Sequence, residues 1–242
     1  MKCRLCGLEK NLKNSHIIPE FVFKPLYDSK HRLHRIVADP KERNTYLQKG
    51  VREKLLCLDC EVKLSKNEKY VSEIFNGQNK LLLNNVDGLV VVKGVDYSKF
   101  KLFALSVLWR AGVSGDSLFR DVSLGTHEKQ LRRMIFESQP GIKKEYPFFL
   151  TLILHENQLL SGLIVEPERL KVHGHNAYRF VFSGIVWLFI VSSHDIPSLL
   201  QDAAINEHGE FKMLPKNISD LPFLTEQIAQ LSEMGKLEFA KH

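Results

Sequence analysis

The chain has 242 residues, 44% of them hydrophobic and 26% charged, an ordinary globular composition that excludes a disordered or low-complexity chain. Its net charge of +6 and pI near 9.0 favour an anionic partner, with nucleic acid the commonest of these. No apolar leader comes after Met1, and the most apolar run, residues 180–193, is shorter than the roughly 20 residues a membrane-spanning helix needs. The sequence therefore predicts a cytoplasmic protein with no membrane partner.

All four cysteines fall early in the chain, in two C-x-x-C pairs, Cys3 with Cys6 and Cys57 with Cys60. A chain without a secretion signal keeps such thiols reduced, and neither pair sits in the βαβ setting of a redox motif. Together they supply the four thiolates of a tetrahedral structural Zn²⁺. The long separation of the pairs makes the ion pin the two ends of an inserted loop, as in a treble clef.

Taken in order, residues 3–7 form a knuckle, with Gly7 free to turn backbone amides towards sulfur. Residues 12–18 read as an extended segment ended by Pro19, and residues 20–27, with Phe21, Val22, Phe23 and Leu26, as a helical turn. Between the knuckles stands KNSHIIPEF, residues 13–21. His16 there comes after a serine and precedes two β-branched apolar residues and a proline, and it is the chain's main functional lead. Residues 30–54 are basic, with Lys30, Arg32, Arg35, Lys41, Arg43, Lys49, Arg52 and Lys54 opposed only by Asp39, Glu42 and Glu53. Two readings stand side by side: a solvated hairpin, or a surface that gains affinity by displacing counterions from a nucleic-acid backbone.

Residues 50–56 read as a strand entering the second knuckle, and after Cys60 a helix runs from Glu61 to about Phe75. Leu64, Val71, Ile74 and Phe75 share one face of that helix, and Glu61, Ser65, Glu68 and Ser72 share another. Glu61 is fixed in direction by the knuckle directly before it; the face carrying Glu68 also fits plain solvation. Polar residues 77–85 mark a boundary, giving units 1–80 and 81–242.

The second unit reads as α+β, an antiparallel sheet packed on a central helix. A strand at 89–95 precedes the strongest helix, 97–112, with Tyr97, Phe100, Phe103, Ala104, Val107, Leu108 and Ala111 in one stripe. Arg110 near its end is read as a structural partner of the helix dipole. A helix capped by Thr126 runs to about Ser138, with Leu131, Met134 and Ile135 inward and Arg132 and Arg133 pointing away. Strand pairs come next, at 148–156 with 159–167 and at 177–183 with 185–193; a last helix after Asp220 buries Leu224, Ile228 and Leu231. His173 and His175 make an H-x-H that reads as exposed rather than ligating.

The set CRLC, SHIIPEF and KLLCLDCE resembles the zinc-knuckled branch of the HNH (ββα-metal) endonucleases, over roughly residues 3–75. The rest of the chain, including KLFALSVLWRAGVS and LGTHEKQLRRM, looks like bacterial HNH-type proteins whose C-terminal part is uncharacterised. The resemblance implies an N-terminal treble-clef/ββα-metal module that hydrolyses phosphodiesters, in DNA rather than RNA, with Mg²⁺ or Mn²⁺. His16 then matches the general base, and Glu61 stands where that family has a metal-binding histidine after the second knuckle. Ser15 replaces the usual metal-binding Asp or His, Arg52 replaces the central Asn, and Ser65 occupies a position that is sometimes a ligand. Asn14, Asp28 or Glu68 are left to complete the shell, and Arg52 to contact phosphate. Lys30, Arg32, Arg35, Lys41, Arg43, Lys49 and Lys54 would contact the nucleic-acid backbone. The alternative from a different class is a catalytically inactive, zinc-stabilised nucleic-acid-binding or regulatory module. Target selection, sensing or homo-oligomerisation is left to residues 81–242, and a role in bacterial defence rests on association alone.

Overall fold

The structure is a computed structural model, and it describes residues 1–237. It is mixed α+β. The first stretch contains β1 (Leu12–His16), α1 (Glu20–Phe23), β2 (Leu33–Arg35), β3 (Thr45–Leu47), β4 (Arg52–Cys57) and α2 (Leu58–Phe75). β1 and β4 pair antiparallel, setting His16 opposite Arg52, and the register slips between Lys13 and Asn14. The slip is a β-bulge, which breaks the period-2 alternation: Lys13 and Asn14 are both exposed, and Ser15 turns inward. The Leu55 carbonyl, inside the bulged stretch, accepts from the amide of Arg4 at 3.1 Å, tying the first knuckle to β4. α2 starts at Leu58 and so contains Cys60, three residues earlier than the sequence suggested.

The remainder builds one eight-stranded sheet. Its strands are β5 (Leu82–Val86), β6 (Leu89–Lys93), β7 (Phe148–His155), β8 (Gln158–Leu159), β9 (Val165–Val172), β10 (His175–Phe182), β11 (Ile185–Val191) and β12 (Phe211–Asn217). The order is β5-β6-β12-β7-β11-β10-β9, with β8 a short extension on β7. All pairings are antiparallel except β12 with β7. α3 (Tyr97–Val113) lies on one face, where Phe100 stacks within 5.8 Å of Trp187 and 5.5 Å of Phe211. α4 (His127–Glu137) packs on α3; the short α5 (Ser198–Gln201) and α6 (Pro222–Glu233) come late in the chain, and Leu224 joins Ile153, Val181 and Val186 on the sheet's other face.

The differences from the sequence expectation have local causes. The strand expected at 159–167 starts only at Val165, because the turn at Glu156 and Asn157, both at positive φ, allows just two residues of pairing before the chain leaves the sheet. Residues 82–86, read from their asparagines as boundary, form the exposed edge strand β5, with Leu82, Leu83 and Val86 on the surface. β12 escaped the sequence reading because Pro215 and alternating lysines disguise it. On α6 Leu224 is buried but Ile228 is exposed, so the buried face is shorter than expected. Arg132 does not point away: its Nε donates to the Leu5 carbonyl at 2.7 Å.

One apolar core runs from the knuckles through α2 and α3 to the sheet, and includes Cys3, Leu56, Val71, Phe103 and Trp187. Phe21 bridges it, with its ring 6.0 Å from Phe75 and 5.9 Å from Phe103.

A stability prediction arises at Gly209, which sits at φ +72° and pairs its carbonyl with the Val95 amide. A Cβ there would lie 1.9 Å from the Val95 carbonyl oxygen, and its three nearest atoms are all Val95 main chain, with no flexible side chain among them to yield. Gly209→Ala is expected to cost about 3 kcal/mol in urea unfolding. Gly174→Ala is the control: it has the same sign of φ, but open space around the new methyl, so it should cost about 1 kcal/mol.

Candidate functional site

The four cysteines, reduced and with three of them buried, come together where the first knuckle meets the start of α2. Their sulfurs all lie within 4.8 Å of one another, and those of Cys6 and Cys57 are 3.9 Å apart. A tetrahedral zinc with bonds of about 2.3 Å needs sulfurs about 3.8 Å apart, so the quartet fits such an ion. The backbone is already arranged for sulfur: Gly7, at φ +78°, closes the first knuckle by donating to the Cys3 carbonyl at 2.9 Å, and the Cys57 amide donates to Cys3 Sγ at 3.3 Å. Burial pushes the Cys3 thiol up, but the amides of Cys6, Cys57 and Leu5 outweigh it and bring the thiol down to about 7. Burial drives the Cys60 thiol upwards, and the neighbouring sulfurs add to it. A metal cation relieves that cost, because it stabilises all four thiolates together.

A second cluster forms where β1, β4, α2 and α3 meet. His16 ends β1 half-buried, and its Nε2 lies 2.6 Å from Oε2 of Glu20. The two buried atoms face each other, and neither has another polar partner among the described residues. Oε1 of Glu61 is a further buried atom, and it has no hydrogen-bond partner among the described residues. The other oxygen of Glu20 accepts from the Tyr27 hydroxyl at 2.9 Å, which in turn accepts from the Gly50 amide at 3.1 Å. Glu20 is thereby held from behind and presented to the imidazole.

Burial lowers the His16 pKa most; Glu20 and Glu68 pull it up, and Arg52 and Arg110 pull it down, for a net decrease. The imidazole is therefore neutral near pH 7. Burial raises the Glu61 carboxyl, with the Ser15 hydroxyl and Arg110 working against it and Glu68 with it. A buried carboxyl with a free oxygen suits a cation or a proton.

The structure divides the sequence-derived residues into those it gathers here and those it does not. Glu61 and Glu68 both face this cluster rather than bulk water, and Glu68 Oε1 pairs with Arg110 Nη1 at 2.8 Å. Arg52 lies across the ladder from His16. Ser15 is an architectural residue: it is 1% exposed, and its Oγ accepts from the Leu56 amide at 3.1 Å. Ser65 is exposed and bonds back to the Val62 carbonyl of its own helix. Asp28 shapes the loop after it, taking the amides of Lys30 and Arg32 on one oxygen and the Arg32 guanidinium on the other. Arg32 is thus clasped, and its guanidinium also sits 4.2 Å over the Tyr46 ring. Arg35 reaches the Ser117 hydroxyl at 3.4 Å. Lys30, Lys41, Arg43, Lys49 and Lys54 are exposed, as is Asn14. In the H-x-H, His173 is exposed in a turn while His175 Nδ1 pairs with the Ser192 hydroxyl at 2.8 Å, so the two do not share a site.

Sequence reasoning missed Glu20 and Arg110. Glu20 carried a signal, its i,i+4 spacing from His16. Arg110 carried none, since its partners lie 94 and 42 positions away along the chain. Among the described residues, the cysteines are the one group with three or more His, Cys, Asp or Glu ligand atoms within 4.8 Å of one another. No described helix is long and apolar enough to cross a membrane. Comparison of the chain with protein-family models, curated proteins and solved structures returned no match.

Proposed function

We propose that residues 1–80 form a zinc-knuckle module of the treble-clef, HNH-like type that hydrolyses phosphodiester bonds in nucleic acid, DNA in preference to RNA, with His16 as general base. The single observation that carries this reading is the cluster in which buried His16 Nε2 faces Glu20 Oε2 at 2.6 Å, while Glu61, near the same Glu68 and Arg110, keeps a buried Oε1 with no hydrogen-bond partner among the described residues. Unsatisfied buried polar atoms are costly, and they collect where a ligand is due. The order β1, β4, α2 on a cysteine quartet matches the strand–strand–helix order that the HIIP resemblance implies.

In this reading the neutral imidazole of His16 takes the proton from the attacking water. Glu20, braced by Tyr27, fixes the ring and stabilises the imidazolium as it forms. Glu61 would hold Mg²⁺ or Mn²⁺, hard ions suited to carboxylate oxygen, with Glu68 near it. When bound, such an ion would supply charge stabilisation to the phosphate. Arg52 contacts the scissile phosphate next to the base, and exposed Lys30, Lys41, Arg43, Lys49 and Lys54 contact the flanking backbone.

The alternative, a binding or regulatory module without turnover, is favoured by one specific observation: Arg110 neutralises Glu68, and the remaining carboxylates do not close into a preformed group of three. Nicking of supercoiled plasmid by zinc-loaded protein with Mg²⁺ or Mn²⁺ separates the two readings. Shifted but uncut DNA supports the alternative.

A further inference from the structure

Arg110 is 1% exposed, one of the largest fully buried side chains in the protein. It sits near the end of α3, yet no described contact of its guanidinium is made to the sheet. Nε donates to the Ser106 carbonyl at 3.2 Å and Nη2 to the Ser106 hydroxyl at 3.3 Å, which fixes the fork on its own helix. Nη1 then reaches out of the helix to two groups of the N-terminal segment: the carbonyl of His16 at 2.7 Å and Oε1 of Glu68 at 2.8 Å. A buried guanidinium is retained only where its donors are met, and here they are met by the backbone of the candidate base.

Contacts on either side make the same junction. Glu53 Oε2 on β4 accepts from the Ser114 hydroxyl at 2.9 Å and the Gly115 amide at 2.8 Å, just past α3. Asp96, the N-cap of α3, donates its amide to the Tyr70 hydroxyl of α2 at 2.6 Å. The helix is therefore fastened to the first unit at both ends, with Arg110 at the site itself.

We propose that Arg110, carried by the second unit, is a positioning residue of the His16 site: it locks the main chain of the base and the carboxylate of Glu68 into one frame, so that residues 1–80 do not form a working site alone. A lysine cannot reproduce this, because a single ammonium lacks the fork that reaches Ser106, His16 and Glu68 together. The proposal deepens the hydrolase reading for turnover, but its structural half is independent of that reading.

The test uses the full chain with zinc bound, and compares wild type, Arg110→Lys and Ser106→Ala. Two readouts are taken: the ring resonances of ¹³C-labelled histidines, and plasmid nicking resolved into kcat and KM. Arg110→Lys is expected to move the His16 resonance while those of His127 and His175 stay in place. It should lower kcat on the order of 10²-fold at an unchanged KM, the effect of a misplaced catalytic group. Ser106→Ala, which removes one tether and little volume, should move the same resonance less, and it decides the matter if Arg110→Lys does not fold. An unmoved His16 resonance in the folded variants, or displacement of all histidine resonances alike, overturns the proposal. If the wild type nicks nothing while the His16 resonance still moves selectively, the positioning role stands and the hydrolase reading falls.

Discussion

Cys60→Ser, or exhaustive chelation of the wild type, is expected to unfold the N-terminal unit and lower the melting temperature of the chain by about 10–20 °C. Zinc bound by four thiolates contributes about 10–16 kcal/mol to small metal-folded peptides. That upper bound exceeds what most whole domains retain as net stability, about 5–15 kcal/mol. The short elements between the knuckles do not hold its two ends together themselves: α1 is a single turn, and β2 and β3 are three-residue strands. The damage should spread, since Cys3, Leu5 and Cys57 belong to the same core as Phe103 and Trp187. The far face of the sheet, around Ile153, Val186 and Leu224, is a separate cluster and should retain its strands. Elemental analysis should find one zinc per chain in the wild type and almost none in Cys60→Ser. Fewer than four free thiols in the metal-free, unreduced wild type would indicate disulfides and argue against a zinc role.

Much of this architecture is legible in the residue pattern alone. The cysteine pairs are, because spacing by itself encodes a knuckle. The central helix is, because Tyr97, Phe100, Phe103, Ala104 and Val107 repeat at helical period and do become buried. The hairpin of β10 and β11 is marked by Ser183-Gly184, both at positive φ in the structure. The features that escape are set by tertiary contact. β12 joins the sheet in parallel beside β7, a pairing between segments some sixty residues apart that leaves no local trace. Arg110 resembles an ordinary helix-end cation until α3 is docked on β1 and α2. Ser15 resembles a lost metal ligand. The bulge beside it shows a different task, satisfying the Leu56 amide where the ladder is broken. Of the basic segment, sequence gives the charges but not which of them are already held by Asp28, Tyr46 and Ser117.

The second large effect is expected at His16. In the proposed reading, removing its imidazole takes away the proton acceptor for water, and general-base catalysis is worth about 10²–10⁴-fold. His16→Ala should leave the fold intact: the Arg110 bond to its carbonyl and the ladder to Arg52 are main-chain contacts that survive, and Glu20, which loses the imidazole, is still held by Tyr27. The pH profile should carry the same signature. Burial depresses the imidazole, so the base remains deprotonated to lower pH than a free histidine would. Nicking by the wild type should therefore still be undiminished at about pH 6.5, where a free histidine is half protonated, and decline only at lower pH.

The most direct measurement is nicking of supercoiled plasmid with Mn²⁺ by wild type and His16→Ala, purified identically and matched for zinc content. The wild type should nick only when the divalent ion is present, and the rate should fall at least about 10²-fold in the variant, with the melting temperature unchanged. Equal nicking by both proteins, or none by a wild type that carries its zinc, would contradict a role for His16 as the base of a hydrolase.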